Sequence, residues 1–258
     1  MPMLPREHGA YSQMALPLVT SFVVAGVTLP AALTGLAVVF GFLAHEPLLV
    51  RLGRRGVRAR AESERRANVS LAVYGAATIA AGVAAVLLAP PAARWSFALP
   101  LVPMAVIAAG LVNRQEKSAP AEVAVALAFS LAAIPICLCA GASVTDALSI
   151  GVVFALVFVA GTLSVRVVIL KVRGGGRPRA VRITRAALIA LAATAAVGLA
   201  VAAGRGTLPW AALLAIAPGL IAALSMALRR TAPKLRTVGW TLMSTSAAAA
   251  LILMGGVR

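Results

Sequence analysis

Two histidines and seven acidic residues limit where this 258-residue chain can do proton chemistry. His8 follows Arg6 and Glu7 in a short polar run ahead of an apolar stretch. It can titrate near neutral pH or donate to a headgroup, with its two charged neighbours fixing it at an interface. His45 adjoins Glu46, with Pro47 next and Arg51 a turn further on. An imidazole beside a carboxylate can move a proton or hold a cation. Pro47 suggests a kink that turns both side chains toward a cavity instead of lipid. His8, His45 and Glu46 are therefore the catalytic candidates, against the plainer reading that each is a solvated helix end. No further ligand stands three or four residues from the His-Glu pair, so neither a metal site nor a cofactor is expected.

The candidate substrate-binding residues are Arg6, Arg51, Glu122, Thr162 and Arg166. Arg166 follows Thr162 and Ser164 inside an apolar segment. It must snorkel, pair with a carboxylate such as Glu46 or Glu122, or face an anionic ligand. Glu122 falls in the first turn of a helix, where the macrodipole alone would stabilise it. Two arginine-rich tracts, at 48 to 60 and 168 to 182, could bind a phosphate-bearing substrate, because guanidinium forks match phosphate oxygens. The second contains Gly174, Gly175 and Gly176 but no GxxxxGK[ST], so it is not a nucleotide-binding P-loop. Cys137 and Cys139 lie one residue apart in an apolar run and read as small packing residues.

The elements that must position these groups are membrane-spanning. Hydrophobic residues make up 61% of the chain and charged ones 12%, with a mean hydropathy of +0.98. The apolar runs have the length of about twenty residues that a helix needs to cross a bilayer. Nine segments qualify: about 13 to 29, 31 to 48, 69 to 89, 95 to 113, 120 to 140, 145 to 170, 185 to 203, 208 to 228 and 238 to 256. The first two are separated by Pro30 and could instead form a re-entrant hairpin. The polar start before span one does not read as a removable signal peptide. Trp95, Trp210 and Trp240 stand near span ends, as interfacial tryptophans do.

With the N-terminus inside, 21 of the 24 basic residues fall on the cytoplasmic side and only Arg94, Arg205 and Arg258 on the other. The positive-inside rule then predicts an N-in, C-out topology. Insertion and attraction to anionic headgroups account for most of the +17 net charge, so no nucleic-acid partner is expected. The chain reads as a single all-α transmembrane domain over 1–258, a polytopic bundle in the cell inner membrane. Helices one to four (13–113) and five to eight (120–228), each with a basic tract after its second span, hint at a duplication to which a ninth (238–256) is added.

The segments PREHGAY (5–11), EPLLVRLGRR (46–55), LVNRQEK (111–117) with Glu122 behind it, and GTLSVRVVILK (161–171) resemble the YwiC-like family of bacterial integral membrane proteins. That resemblance implies a polytopic membrane protein and no particular reaction. The nine-helix, N-in layout with polar stretches after spans two and six is also similar to the UbiA-type intramembrane prenyltransferases, whose Asp-rich motifs at those places bind magnesium and a prenyl diphosphate. Here His45 and Glu46 stand at the first place, and no Asp stands at the second. With one carboxylate between the two places, metal-dependent prenyl transfer is not expected. Three functions follow. The first is a UbiA-like lipid or isoprenoid enzyme without the metal motifs, its candidate residues converging within about 8 Å on a cytoplasm-facing cavity, close enough for shared contact directly or through one water. The others are a small-molecule carrier, against which no ionisable residue lies near a span centre, and a non-catalytic membrane scaffold. The expected partners are membrane lipids, anionic cytoplasmic headgroups and a phosphate-bearing or isoprenoid substrate.

Overall fold

The computed structural model describes residue 3, residues 8–172 and residues 178–257, apart from the side chains of His8 and Ala59. Every regular element among them is helical: α1 (His8–Ala25), α2 (Leu29–Arg51), α3 (Val57–Leu88), α4 (Ala98–Val112), α5 (Ala119–Leu131), α6 (Ala133–Cys139), α7 (Val144–Val172), α8 (Pro178–Gly204), α9 (Trp210–Leu228) and α10 (Leu235–Gly256). A 3-10 turn, Pro91–Phe97, leads into α4. Among the described residues, eight segments are long and apolar enough to cross a membrane, with α5 and α6 counted as one, and Gly9–Ala25 adds a shorter apolar helix. The protein is a multi-pass membrane helical bundle.

The helices fall on the nine expected spans, with three differences in extent. α3 begins at Val57, well before the expected 69, because VRARAESERRA is rich in strong helix formers and Arg58 pairs with Glu62 one turn on at 2.7 Å. At 1.5 Å per residue its 32 residues extend about 48 Å, so the charged first turns stand clear of about 30 Å of hydrocarbon. α8 likewise starts at Pro178, whose fixed φ suits a first helical turn, and not at 185. The expected fifth span breaks at Ala132 into α5 and α6, where Pro135 removes a backbone donor. Arg173, Gly174, Gly175, Gly176, Arg177 and Arg258 lie outside the described residues.

Spans one and two make only a small contact with each other. α1 packs mainly against α10, α6, α5 and α7, whereas α2 packs chiefly against α3 and α6. Between them the chain reverses at Gly26 (φ 85°), and Thr28 caps α2 while donating to the Cys139 carbonyl at 2.9 Å. The two halves proposed as a duplication also pack differently. α7 lies closely on α9, and α2 makes no comparable contact with α4.

α7 is the hub, touching α1, α5, α6, α8, α9 and α10. Its buried face carries Ile150, Val153, Phe154, Val157 and Phe158. Lipid offers no hydrophobic drive between helices, so close van der Waals contact at small residues must hold them together. Two such approaches involve α7: a Cβ on Gly151 would lie 2.6 Å from Ile134 Cγ1, and one on Gly219 would lie 2.9 Å from Val157 Cγ1. Gly151→Val is accordingly expected to lower stability by about 1–3 kcal/mol, with Ile134→Ala in the same chain restoring part of it. Denaturant titration in mixed micelles reads both values, and an unchanged midpoint for Gly151→Val would contradict the packing. Cys137 and Cys139 are free thiols buried in α6. α3, by contrast, turns Val69, Val73, Ile79 and Val83 outward, as a lipid-facing helix should.

Candidate functional site

The N-terminal end of α1, the C-terminal ends of α2 and α4, the start of α5, the last half of α7 and the first half of α10 all meet at the arginine-rich end of the bundle. They enclose a cavity of about 900 Å³. Along α7 it runs from Leu170 to Val157, about 20 Å of helix at 1.5 Å per residue. Phe158, Gly161, Thr162, Val165, Arg166 and Ile169 recur every three or four residues and so share the face of α7 that lines it. Its inner part is mainly apolar, with Val125, Val157, Phe158, Leu242 and Met243, and holds one hydroxyl, Ser246, which donates to the Leu242 carbonyl. One turn deeper than His45 and Val125, Phe42 meets Tyr11 edge-on at 4.9 Å and Phe129 at 5.7 Å, joining α1, α2 and α5.

The mouth is cationic and is built by two chain reversals. Gly53, at φ 70°, ends α2 with its amide donating to the Val50 carbonyl and the Arg54 amide donating to that of Leu49. This left-handed cap satisfies the last helical carbonyls and folds the chain back along α2. Arg55 thereby reaches Glu46 in a two-pronged pair, Nε to Oε1 at 3.0 Å and Nη2 to Oε2 at 2.6 Å. Arg54 Nη2 donates to the Leu111 carbonyl at the end of α4, at 2.6 Å. The same cap closes α4, here with Arg114 at φ 57° in the position glycine usually takes, and the turn then presents Glu116 and Lys117 to the cavity. Ser118 next accepts from the Ala121 amide and starts α5.

Of the residues singled out from sequence, His45, Glu122, Thr162 and Arg166 line this cavity. Arg166 Nη1 donates to Glu122 Oε2 at 3.0 Å, joining α7 to α5. Glu46 is close by but buried, only 3% exposed, and it faces Arg55. α2 continues through Pro47 to Arg51. Arg51 is exposed and outside the cavity wall, because it stands two residues past Leu49 and so about 200° around α2 from the face that His45 and Leu49 turn to the cavity. Arg6 and the His8 side chain lie outside the described residues, although Gly9, Ala10, Ser12 and Gln13 of the same helix line the wall.

Sequence reasoning held Arg54 and Arg55 only as part of the arginine-rich tract at 48 to 60, and did not single out Glu116 and Lys117 as site residues. Gly53 was the available signal for the first two, since a glycine just past a helical run marks a reversal. Nothing comparable marked Glu116 and Lys117, whose placement depends on where α4 sits against α2. Among the described residues, no group of three or more His, Cys, Asp or Glu side chains could hold a metal ion.

No curated protein and no solved structure matches the chain. A family model described as YwiC-like protein matches residues 4–137. That stretch is just over half the chain and carries three of the four segments of the resemblance: 5–11, 46–55 and 111–117. It also supplies α1, α2, α4 and α5 of the cavity wall, and leaves α7 and α10 outside the match. The chain belongs to the YwiC-like family.

Proposed function

We propose that this protein handles a phosphate-bearing amphiphile of lipid or isoprenoid type, as an inner-membrane enzyme with a UbiA-like helical arrangement and without Asp-rich metal motifs. The observation that carries the reading is the division of one cavity of about 900 Å³ into a mouth lined by Arg54, Arg55, Lys117 and Arg166 and an apolar inner part. A soluble polar metabolite would leave the inner part unmatched, and a plain hydrocarbon would leave the mouth unmatched. The volume falls within the range of about 300–1,000 Å³ typical of small-ligand sites, enough for a headgroup and the first part of a chain.

In this reading the arginine-rich end faces the cytoplasm, where anionic headgroups attract basic residues by about 1 kcal/mol each. His45 is the general acid-base candidate in the wall, since imidazole exchanges protons near neutral pH. Glu46 has the different role of fixing Arg55 at the mouth. Arg166, paired with Glu122, closes the inner edge of the mouth. The protein purified in mild detergent should retain a phosphate-bearing lipid, near one per chain, when its extract is analysed by mass spectrometry. A purified, folded protein carrying no lipid above the level of an unrelated membrane protein would overturn the proposal.

A further inference from the structure

The cavity is deeper on one side than on the other. On α1 its wall stops at Gln13, on α2 at His45, on α4 at Ile107 and on α5 at Val125. One turn further in, the Phe42 ring meets those of Tyr11 and Phe129 and closes that side. Among the described residues, only α7 and α10 carry the wall further, to Phe158 with Val157 and to Ser246. This deep arm is narrow, since a Cβ on Gly161 of α7 would already touch Leu242 Cδ2 of α10 at 3.5 Å.

The floor of the arm is visible in one row of α7. Leu170, Arg166, Thr162 and Phe158 follow one another every four residues and line the cavity. Phe154, next in that row, is 0% exposed against 4% for Phe158, and the two rings lie 5.4 Å apart. On α10 the face that ends in Ser246 continues as Ala249, Ala250 and Leu253, all buried. The arm is therefore blind. Arg166 marks its upper end, and from there to Phe158 is eight residues, about 12 Å of helix. An extended chain advances about 1.2 Å per bond, a third of its span per residue, so about ten carbons fill that depth. We infer that the cavity seats a single linear chain of about ten carbons below a phosphate at the cationic mouth, and that Phe158 sets the limit. This deepens the amphiphile reading above and rests on it. A second chain has no arm to enter, and a longer one must crowd Phe158 or lift the phosphate away from the mouth.

The test uses the full chain in neutral detergent, stripped of lipid and titrated separately with octyl, decyl, tetradecyl, hexadecyl and didecyl phosphate, with binding read by native mass spectrometry. A micelle already surrounds these chains with hydrocarbon, so lengthening one within the arm changes affinity little. Octyl and decyl phosphate should bind alike, and the other three at least about ten-fold more weakly, as expected for overfilling a packed interior. Phe158→Ala opens the row to Phe154, about 6 Å deeper, and should bring tetradecyl phosphate to the level of decyl. Phe158→Leu, a milder change, should move the limit the same way by less. Ser246→Leu fills the arm from α10 and should weaken decyl phosphate more than octyl; an unchanged limit there overturns the floor even if neither Phe158 variant folds. Hexadecyl or didecyl phosphate bound by the parent as tightly as decyl would show that chains leave the cavity sideways. A limit unmoved in folded Phe158 variants would show that another residue sets it. Either result overturns the floor and leaves the amphiphile reading standing, whereas failure of all five phosphates to bind overturns both.

Discussion

Arg55→Ala is expected to lower stability by about 1–3 kcal/mol, the cost of leaving a largely buried carboxylate without its hydrogen-bond partner. The reason lies in what is left behind. Glu46 has 4% of its side chain exposed and receives two hydrogen bonds from one guanidinium, so truncating the arginine leaves a largely buried carboxylate without its cation. Taking the charge away as well should reverse most of the loss: Glu46→Gln in the Arg55→Ala background should unfold at a denaturant concentration closer to the parent than the single variant does. Unfolding in mixed micelles, followed by circular dichroism, measures both. Equal destabilisation of the single and double variants would mean that the pair contributes little beyond side-chain packing.

Thr162→Trp is the counterpart for function, and it should reduce retained lipid at least about ten-fold, or ~1.4 kcal/mol in binding. Thr162 sits midway along the α7 face of the cavity, half-buried, between Phe158 and Arg166. An indole there fills space that a chain would occupy, without adding charge or breaking either ion pair. Ser246→Trp enters from the opposite wall on α10 and should have the same effect. Both variants should melt within a few degrees of the parent, which separates a blocked site from a damaged fold. Undiminished lipid in two folded variants would show that the lipid is bound elsewhere on the bundle.

The reach of sequence reasoning differs from element to element. α7 was legible because its apolar run is long and its lining face repeats at helical spacing from Phe158 to Ile169. The partner of Arg166 could be narrowed to Glu46 or Glu122, since few carboxylates exist to compensate a cation inside an apolar span. Which of them it takes depends on the side-by-side placement of α5 and α7, a contact between segments 44 residues apart. Arg51 stood one helical turn past Pro47 and looked like the anion contact. The positive φ of Gly53 hands that place to Arg54 and Arg55, which no periodicity continued along α2 would reveal.

The amino-acid sequence by itself determined that the chain crosses the membrane repeatedly, roughly where each helix runs, and which end of the bundle is rich in arginine. Those properties follow from local runs of apolar and charged residues, because in hydrocarbon each segment must satisfy its own backbone and carry few charges. Only the tertiary structure decided that α1 joins the core while α2 leans on α3, that Glu46 is engaged by Arg55, and that Glu116 and Arg54 reach one cavity with a buried polar atom each unpaired. Such choices are made by packing between distant segments, where the fit of glycines such as Gly151 and Gly219 against branched side chains selects one arrangement among many of similar hydrophobicity.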